Sequence, residues 1–318
     1  MKTLVLASLS IVLCLLGVFR ANALDLQRFQ KLVVFGDSLS DDGNLFALTA
    51  LTALVPPQQP APPYGETFDG TNRYFPGRFT DGEIWVDYFP SVAHHFPPLI
   101  AYFQDPLSPN GTDFAIGGAI SADLLQPDPK GFPAEIPTYL TASGGTIPAN
   151  NLYLIWIGTD DFAAGINPNA TVQNILNGIA QLQQAGAKTV IVVNVPDISL
   201  TPDVRSLGSA IVQEAKEFVL DVDVLLATEL PLFALTHRIT IDLVDVNGIF
   251  LPLVFDPHKF GFTNTVGAAF NPTTGAIVPD PNDYLFWDGF HPTTNAHHVA
   301  AEYFNSVIRF RFGFGALP

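Results

Sequence analysis

The stretch KLVVFGDSLSDDGN, residues 31–44, begins with the apolar run Leu32-Val33-Val34-Phe35 and stops abruptly at Gly36-Asp37-Ser38. The run is too short and too uniformly apolar for a surface helix, so it reads as a strand buried on both faces, the kind found inside parallel sheets. Ligands collect outside the carboxyl ends of such strands. Ser38 therefore stands where a parallel sheet presents its chemistry. It can offer its hydroxyl at the sheet edge while its own N–H, at the start of a helix, faces the same spot. A serine there can equally be a helix cap, and the stretch alone leaves both readings open.

Three further β-branched runs, residues 153–157, 189–195 and 239–246, repeat the buried-strand signature. Helical patterns lie between and after them: residues 172–185 ending at Gly186, residues 206–229 broken by Pro231, and a last helix from Thr293 or Thr294 to about residue 311. Strands alternating with helices predict a three-layer α/β/α domain with a mainly parallel sheet. Residues 55–148 are rich in Pro, Gly and aromatics and read as long loops with short helices over the strand ends. With no internal repeat or linker evident, residues 24–318 are expected to form one domain.

The first 23 residues read as a secretory signal peptide: Lys2, an uncharged and mostly apolar run to Phe19, then Ala21-Asn22-Ala23 as a small-x-small cleavage site. The run falls short of the roughly 20 apolar residues of a membrane span. The only cysteine, Cys14, lies inside it, so the mature chain has no disulfide and must rely on a core, which 48% hydrophobic content can supply. Removing Lys2 and Arg20 leaves 12 basic against 30 acidic residues, a net charge of −18. That field excludes nucleic acid and anionic membranes as partners and favours neutral over polyanionic substrates. Asn110-Gly111-Thr112 and Asn169-Ala170-Thr171 are candidate glycosylation sequons of an extracellular protein.

Near the other end, FWDGFHPTTNAHHVAAEYF, residues 286–304, sets Asp288 three residues before His291, with Pro292-Thr293 opening the final helix. A nucleophilic serine needs a base, and the base needs an acceptor that fixes its tautomer. Asp288 and His291 on one loop can fill both roles. Alternatively, Asp288 caps a turn and His291 packs against Trp287.

Together with TDFAIGGAI from Thr112 and IWIGTDDF from Ile155, these stretches resemble the SGNH, or GDSL, hydrolase superfamily. All four of its signatures occur in family order. The resemblance implies a flavodoxin-like α/β/α fold with a mainly five-stranded parallel sheet, Ser38 as nucleophile, His291 as base and Asp288 as its partner. It further implies an oxyanion hole made of the Ser38 and Gly118 N–H groups and a side chain from the third signature, with no cofactor or metal. Within the superfamily, GRFTDG, FGFTN and FWDGFHPT are most similar to the fungal and plant lipase/acylhydrolase branch, nearest to the fungal acetylesterases of carbohydrate esterase family sixteen.

The implied protein is a secreted, monomeric esterase acting on small-molecule or oligosaccharide esters with short acyl groups. A lipase or acyltransferase for longer chains, and a carbohydrate-binding protein on a hydrolase scaffold, are the alternatives. One position departs from the pattern: Gly158-Thr159-Asp160-Asp161 carries Asp160 where the family has an asparagine. An ionised carboxylate cannot donate to an oxyanion, so Asp160 serves there only when protonated, or else points away and caps its loop. His94-His95 and His297-His298 are adjacent pairs that diverge on a strand or helix and make poor metal clamps. His258 has no assignable role, and Gly117-Gly118 lacks the context of a phosphate loop.

Overall fold

A computed structural model describes residues 28–50, 61–62, 73–104, 112–123 and 131–312; the signal-peptide segment and Asn110 lie outside these. The four apolar runs become β1 (Leu32–Gly36), β2 (Leu152–Trp156), β3 (Thr189–Val193) and β4 (Thr240–Val244). They pair in parallel in the order β1-β2-β3-β4, with Val34 opposite Leu154, Leu154 opposite Ile191 and Ile191 opposite Asp242.

The alternation of side chains along a strand divides the core in two. Leu32 and Val34, with Leu152, Leu154 and Ile191, face one layer of helices: α2 (Trp85–Ala93), α7 (Asn247–Phe255) and α8 (Thr294–Phe312). Val33 and Phe35, with Tyr153, Ile155 and Val190, face the other: α3 (Phe132–Ala142), α4 (Pro168–Ala185) and α6 (Ser209–His237). The short α1 (Asn44–Ala50) and α5 (Pro202–Ser206) sit at the carboxyl ends of the strands. This is the three-layer α/β/α arrangement that the alternating pattern predicts. Among the described residues no helix is long and apolar enough to cross a membrane.

The sheet departs from expectation in having four regular strands instead of five. Residues 112–116 run beside β1 in the fifth position: Val34 donates to the Thr112 carbonyl, while Phe114 and Ile116 donate to those of Val34 and Gly36. This segment is irregular because the Ala115 N–H is taken by the Asp113 carboxylate instead of a neighbouring strand. A separate parallel pair, β5 (Asn264–Ala268) and β6 (Tyr284–Phe286), leads into the loop that carries Asp288 and His291.

Three element readings shift. β4 is the sheet's edge and buries only Val244 fully, so it is not the doubly covered strand its composition suggests. α4 starts at Pro168, before its apolar stripe, because Asn167 caps it by accepting from the Ala170 N–H and proline suits the first helical position. α6 starts at Ser209 and passes through Pro231 to His237. Pro231 lies on the exposed side, while Leu226 and Leu230 anchor the opposite side in the core, so packing outweighs the lost backbone bond.

Candidate active site

Gly36, the last residue of β1, admits nothing larger: a Cβ there would lie 2.1 Å from the Trp156 carbonyl oxygen of β2. The Gly36 N–H donates to the buried Glu135 Oε2 at 2.8 Å. The chain then makes one helical turn, in which the Asp37 carbonyl accepts from Ser40 and Asp41 and the Asp37 carboxylate accepts from Leu39. Ser38 therefore sits on an isolated turn, and the helix expected at this point begins only at Asn44, capped by Asp41.

Ser38 is buried, and its Oγ lies 2.8 Å from His291 Nε2. His291 Nδ1 lies 2.8 Å from Asp288 Oδ2 and 3.0 Å from Oδ1. The Asp288 Oδ1 atom also accepts the Phe290 and His291 N–H groups at 2.8 and 2.7 Å, and Trp287 donates to the His291 carbonyl, so a tight turn holds carboxylate and imidazole together. The structure thus brings Ser38, His291 and Asp288 into one hydrogen-bonded chain across 253 residues of sequence. Asp288 combines the two alternatives left open by the sequence, since it caps the turn and also binds the histidine. Its burial opposes ionisation, but the charge and hydrogen bonds of His291 outweigh this and take its pKa to about 2. Burial works to lower the His291 pKa; the Asp288 carboxylate, with Asp160 and Asp37 beyond it, reverses that and leaves it raised.

The Ser38 and Gly118 N–H groups have no hydrogen-bond partner among the described residues. Gly118 is exposed, in the left-handed region at φ +75°, with open space where a side chain would stand. Its neighbour Gly117 is fixed by donating to the Asp41 carboxylate at 2.7 Å. Asp160 carries a buried Oδ2 without a hydrogen-bond partner among the described residues. Burial, with Asp161 nearby, raises its pKa to about 6 against the pull of His291. Beneath it, burial and the Asp160 charge push Asp37 up to about 8. Asp161 instead clamps the scaffold: it accepts from Ser121 N–H at 2.7 Å, from Ser121 Oγ and from Thr171 Oγ1, tying the Gly118 loop to the start of α4.

Two residues escaped the sequence reading. Tyr74 Oη donates to Asp288 Oδ2 at 2.8 Å from within an aromatic cluster of Phe79, Phe270 and Trp287. Burial and the neighbouring carboxylate hold its hydroxyl protonated. Phe79 packs on the His291 ring, with centroids 5.1 Å apart. Both lie in a Pro- and Gly-rich stretch without periodicity, and only tertiary contact reveals them. The remaining histidines diverge as expected of adjacent pairs. His94 closes α2, His95 Nε2 is 2.7 Å from the Phe29 carbonyl, His298 stands edge-on to Tyr88, and His258 is exposed. His297 alone turns inward; burial foremost, with His291 nearby, lowers its pKa to about 3.

A parallel sheet whose first strand leads into a turn carrying a serine, hydrogen-bonded through histidine to an ionised carboxylate, defines a class, that of the serine ester hydrolases. The chain belongs to the GDSL-like lipase/acylhydrolase family, whose family model matches residues 32–304. It is similar to the thermolabile hemolysin of Vibrio parahaemolyticus, at 23% identity over 91% of this chain and 67% of that protein. It is likewise similar to a GDSL esterase/lipase of Arabidopsis thaliana, at 28% identity over 86% and 84% of the two chains. Among solved structures, the acetylxylan esterase of Geobacillus stearothermophilus aligns over 90% of this chain and 94% of its own, at 15% identity and a TM-score of 0.43.

Proposed function

We propose that the protein is a secreted, monomeric carboxylic-ester hydrolase that removes short acyl (acetyl) groups from neutral plant-carbohydrate esters. Residues 1–23 serve as its signal peptide and 24–318 as its single catalytic domain. Ser38 is the nucleophile, His291 the general base and then general acid, and Asp288 the carboxylate that orients His291 and stabilises the imidazolium. Ser38 passes its proton to His291 Nε2 and attacks the ester carbonyl. The oxyanion is held by the Ser38 and Gly118 N–H groups, joined by Asp160 when it carries a proton. Collapse expels the alcohol, protonated by His291, and water releases the acid from the acyl-enzyme by the same steps.

The observation that carries this reading is the pair of 2.8 Å contacts, Ser38 Oγ to His291 Nε2 and His291 Nδ1 to Asp288 Oδ2, with the Asp288 pKa lowered to about 2 so that it is a carboxylate at neutral pH. The acidic surface supports a neutral alcohol moiety, and the carbohydrate assignment rests on the likeness of GRFTDG, FGFTN and FWDGFHPT to the family-sixteen acetylesterases. Asn169 is exposed at the start of α4 and is the described sequon that can carry a glycan.

Ser38→Ala is expected to keep the fold and to lose ester turnover down to the small residue that binding and the oxyanion donors alone supply. A serine-reactive phosphonate should label Ser38 in the wild type and nothing in the variant. Retention of more than about a tenth of the wild-type kcat on p-nitrophenyl acetate, far above the residual of triad variants, would overturn the assignment.

A further inference from the structure

An open pocket of about 270 Å³ lies at the amino ends of β5 and β6, away from the triad. Its lining is mostly polar and includes Thr263, Asn264, Asp280, Asp283 and Tyr284. These groups offer hydrogen bonds of both senses. Asn264 Oδ1 accepts the Val266 and Gly267 N–H groups at 3.1 and 2.8 Å, which fixes the amide and leaves its NH₂ group a donor without a partner among the described residues. The exposed Asp280 carboxylate has no hydrogen-bond partner among the described residues, and the exposed Asp283 carboxylate has only a long contact, 3.4 Å, from Thr263 Oγ1. Tyr284 adds a half-buried aromatic ring, which packs on the cluster of Tyr74, Phe270 and Trp287. Tyr74 bonds Asp288, so the pocket and the triad lie against one aromatic cluster.

An aromatic ring, a fixed amide donor, a hydroxyl and two carboxylate acceptors match the chemistry of a neutral sugar, which presents C–H groups beside hydroxyls that both donate and accept. A metal ion matches poorly. It needs several oxygen ligands converging within about 2.0–2.6 Å, and the described residues contain no group of three or more His, Cys, Asp or Glu side chains able to hold one. Sugars that carry acid groups are repelled by the two carboxylates. We propose that this pocket is a binding subsite for a neutral oligosaccharide, holding a sugar unit distant from the one whose acyl group is removed at Ser38. The proposal rests on the carbohydrate-ester reading above. Tyr284 precedes Asp288 by four residues, a span of at most about 13 Å of extended chain, so a ligand that occupies the pocket and the triad together is longer than one sugar ring. Contacts made so far from the reacting carbonyl are the same in ground and transition states, so they lower KM and leave kcat alone.

The test is calorimetric titration of xylohexaose, cellohexaose and mannohexaose into the full protein. At least one should bind saturably. The double variant Asp280→Ala/Asp283→Ala removes only exposed groups and should weaken that binding by about tenfold or more, as the loss of hydrogen bonds to charged groups does. Tyr284→Ala should weaken it as well, whereas Tyr284→Phe keeps the ring and should bind as the wild type does. On the acetylated form of the same hexasaccharide the double variant should raise KM with kcat held. A wild type that binds none of the three sugars overturns the proposal, as does one that binds calcium chloride or spermidine in their place. Sugar binding unchanged in the folded double variant, or a fall in kcat with KM held, does the same. The titration needs no turnover, whereas failure of the phosphonate to label Ser38 would remove the catalytic reading and a bound but uncleaved acetylated sugar the carbohydrate-ester reading, so these failures are distinguishable.

Discussion

Asp160 and His291 influence each other's ionisation, and in the mechanism proposed above that coupling sets the rate. The competent form of that mechanism has a neutral imidazole as base and a protonated Asp160 as donor or at least an uncharged neighbour of the oxyanion. Asp160 holds its proton only up to about pH 6, whereas His291 gives its proton up only above its raised pKa. The prevailing singly protonated state is therefore carboxylate and imidazolium, and the competent arrangement is its minor tautomer, so the pair titrates as a unit. A narrow bell-shaped dependence of kcat on pH follows, with a low maximum. Asp160→Asn supplies a permanent donor and removes a negative charge that raises the His291 pKa. It should increase kcat by up to the roughly 10²–10³ that one oxyanion donor contributes. It should also extend activity to higher pH and move the acid limb to lower pH. The measurement is kcat against pH for both forms at saturating p-nitrophenyl acetate. Coincident profiles would mean that Asp160 takes no part in the hole.

At the scale of elements, two loops far apart in sequence make the site rigid. Tyr74 bonds Asp288, Thr80 bonds the Pro292 carbonyl and Asp81 accepts from the Thr294 N–H, so residues 74–81 staple the 288–294 turn along its length. Removing only the first bond, in Tyr74→Phe, leaves the aromatic packing intact and leaves Asp288 Oδ2 bonded to His291 alone. Such a charge-assisted bond contributes about 1.5–3 kcal/mol, so Tm should fall. kcat should fall with KM nearly constant, by less than the roughly 10⁴-fold that disabling the carboxylate itself costs a triad hydrolase. Unchanged kcat would mean that the backbone N–H groups of Phe290 and His291 suffice to orient Asp288. This staple marks the limit of what the sequence discloses. The strands, the serine at the end of β1 and the Asp288-to-His291 turn are legible because each rests on local periodicity or on a short fixed spacing. The Tyr74 contact spans 214 residues and leaves no periodic trace. The edge exposure of β4, the passage of α6 through Pro231 and the irregular fifth position beside β1 likewise depend on what packs against them, and only the folded chain settles that.

For the whole molecule, the buried carboxyl groups around the strand ends imply a stability that falls as pH rises. Burial raises Asp41 and Asp160 to about 6, Asp42 and Asp223 to about 7 and Asp37 to about 8, and lifts Asp113 and Glu135 well above the carboxylate range. A group whose folded pKa is raised keeps its proton in the native state at pH values where the unfolded chain has lost it. Its contribution is intact below the unfolded pKa near 4 and is lost as pH climbs to the folded value, by up to about 1.4 kcal/mol per pH unit for each proton of difference. Neighbours such as Asp42 and Asp113 influence each other's titration, so the sum is smaller than seven independent groups would give. His291, also raised, acts in the same direction. Two groups act against it: Asp288 loses stability only as pH falls toward 2, and His297, protonated in the unfolded chain but neutral in the fold, loses it below about 6.5. Both are outnumbered between pH 5 and 8, and the net charge of −16 adds self-repulsion over the same range. Thermal unfolding followed at each pH from 4 to 8 should therefore give the highest Tm near pH 4–5 and a decline of several degrees by pH 8, where soluble domains usually remain near their optimum. A Tm that holds level or rises toward pH 8 would show that these carboxyl groups ionise within the fold at their ordinary pKa.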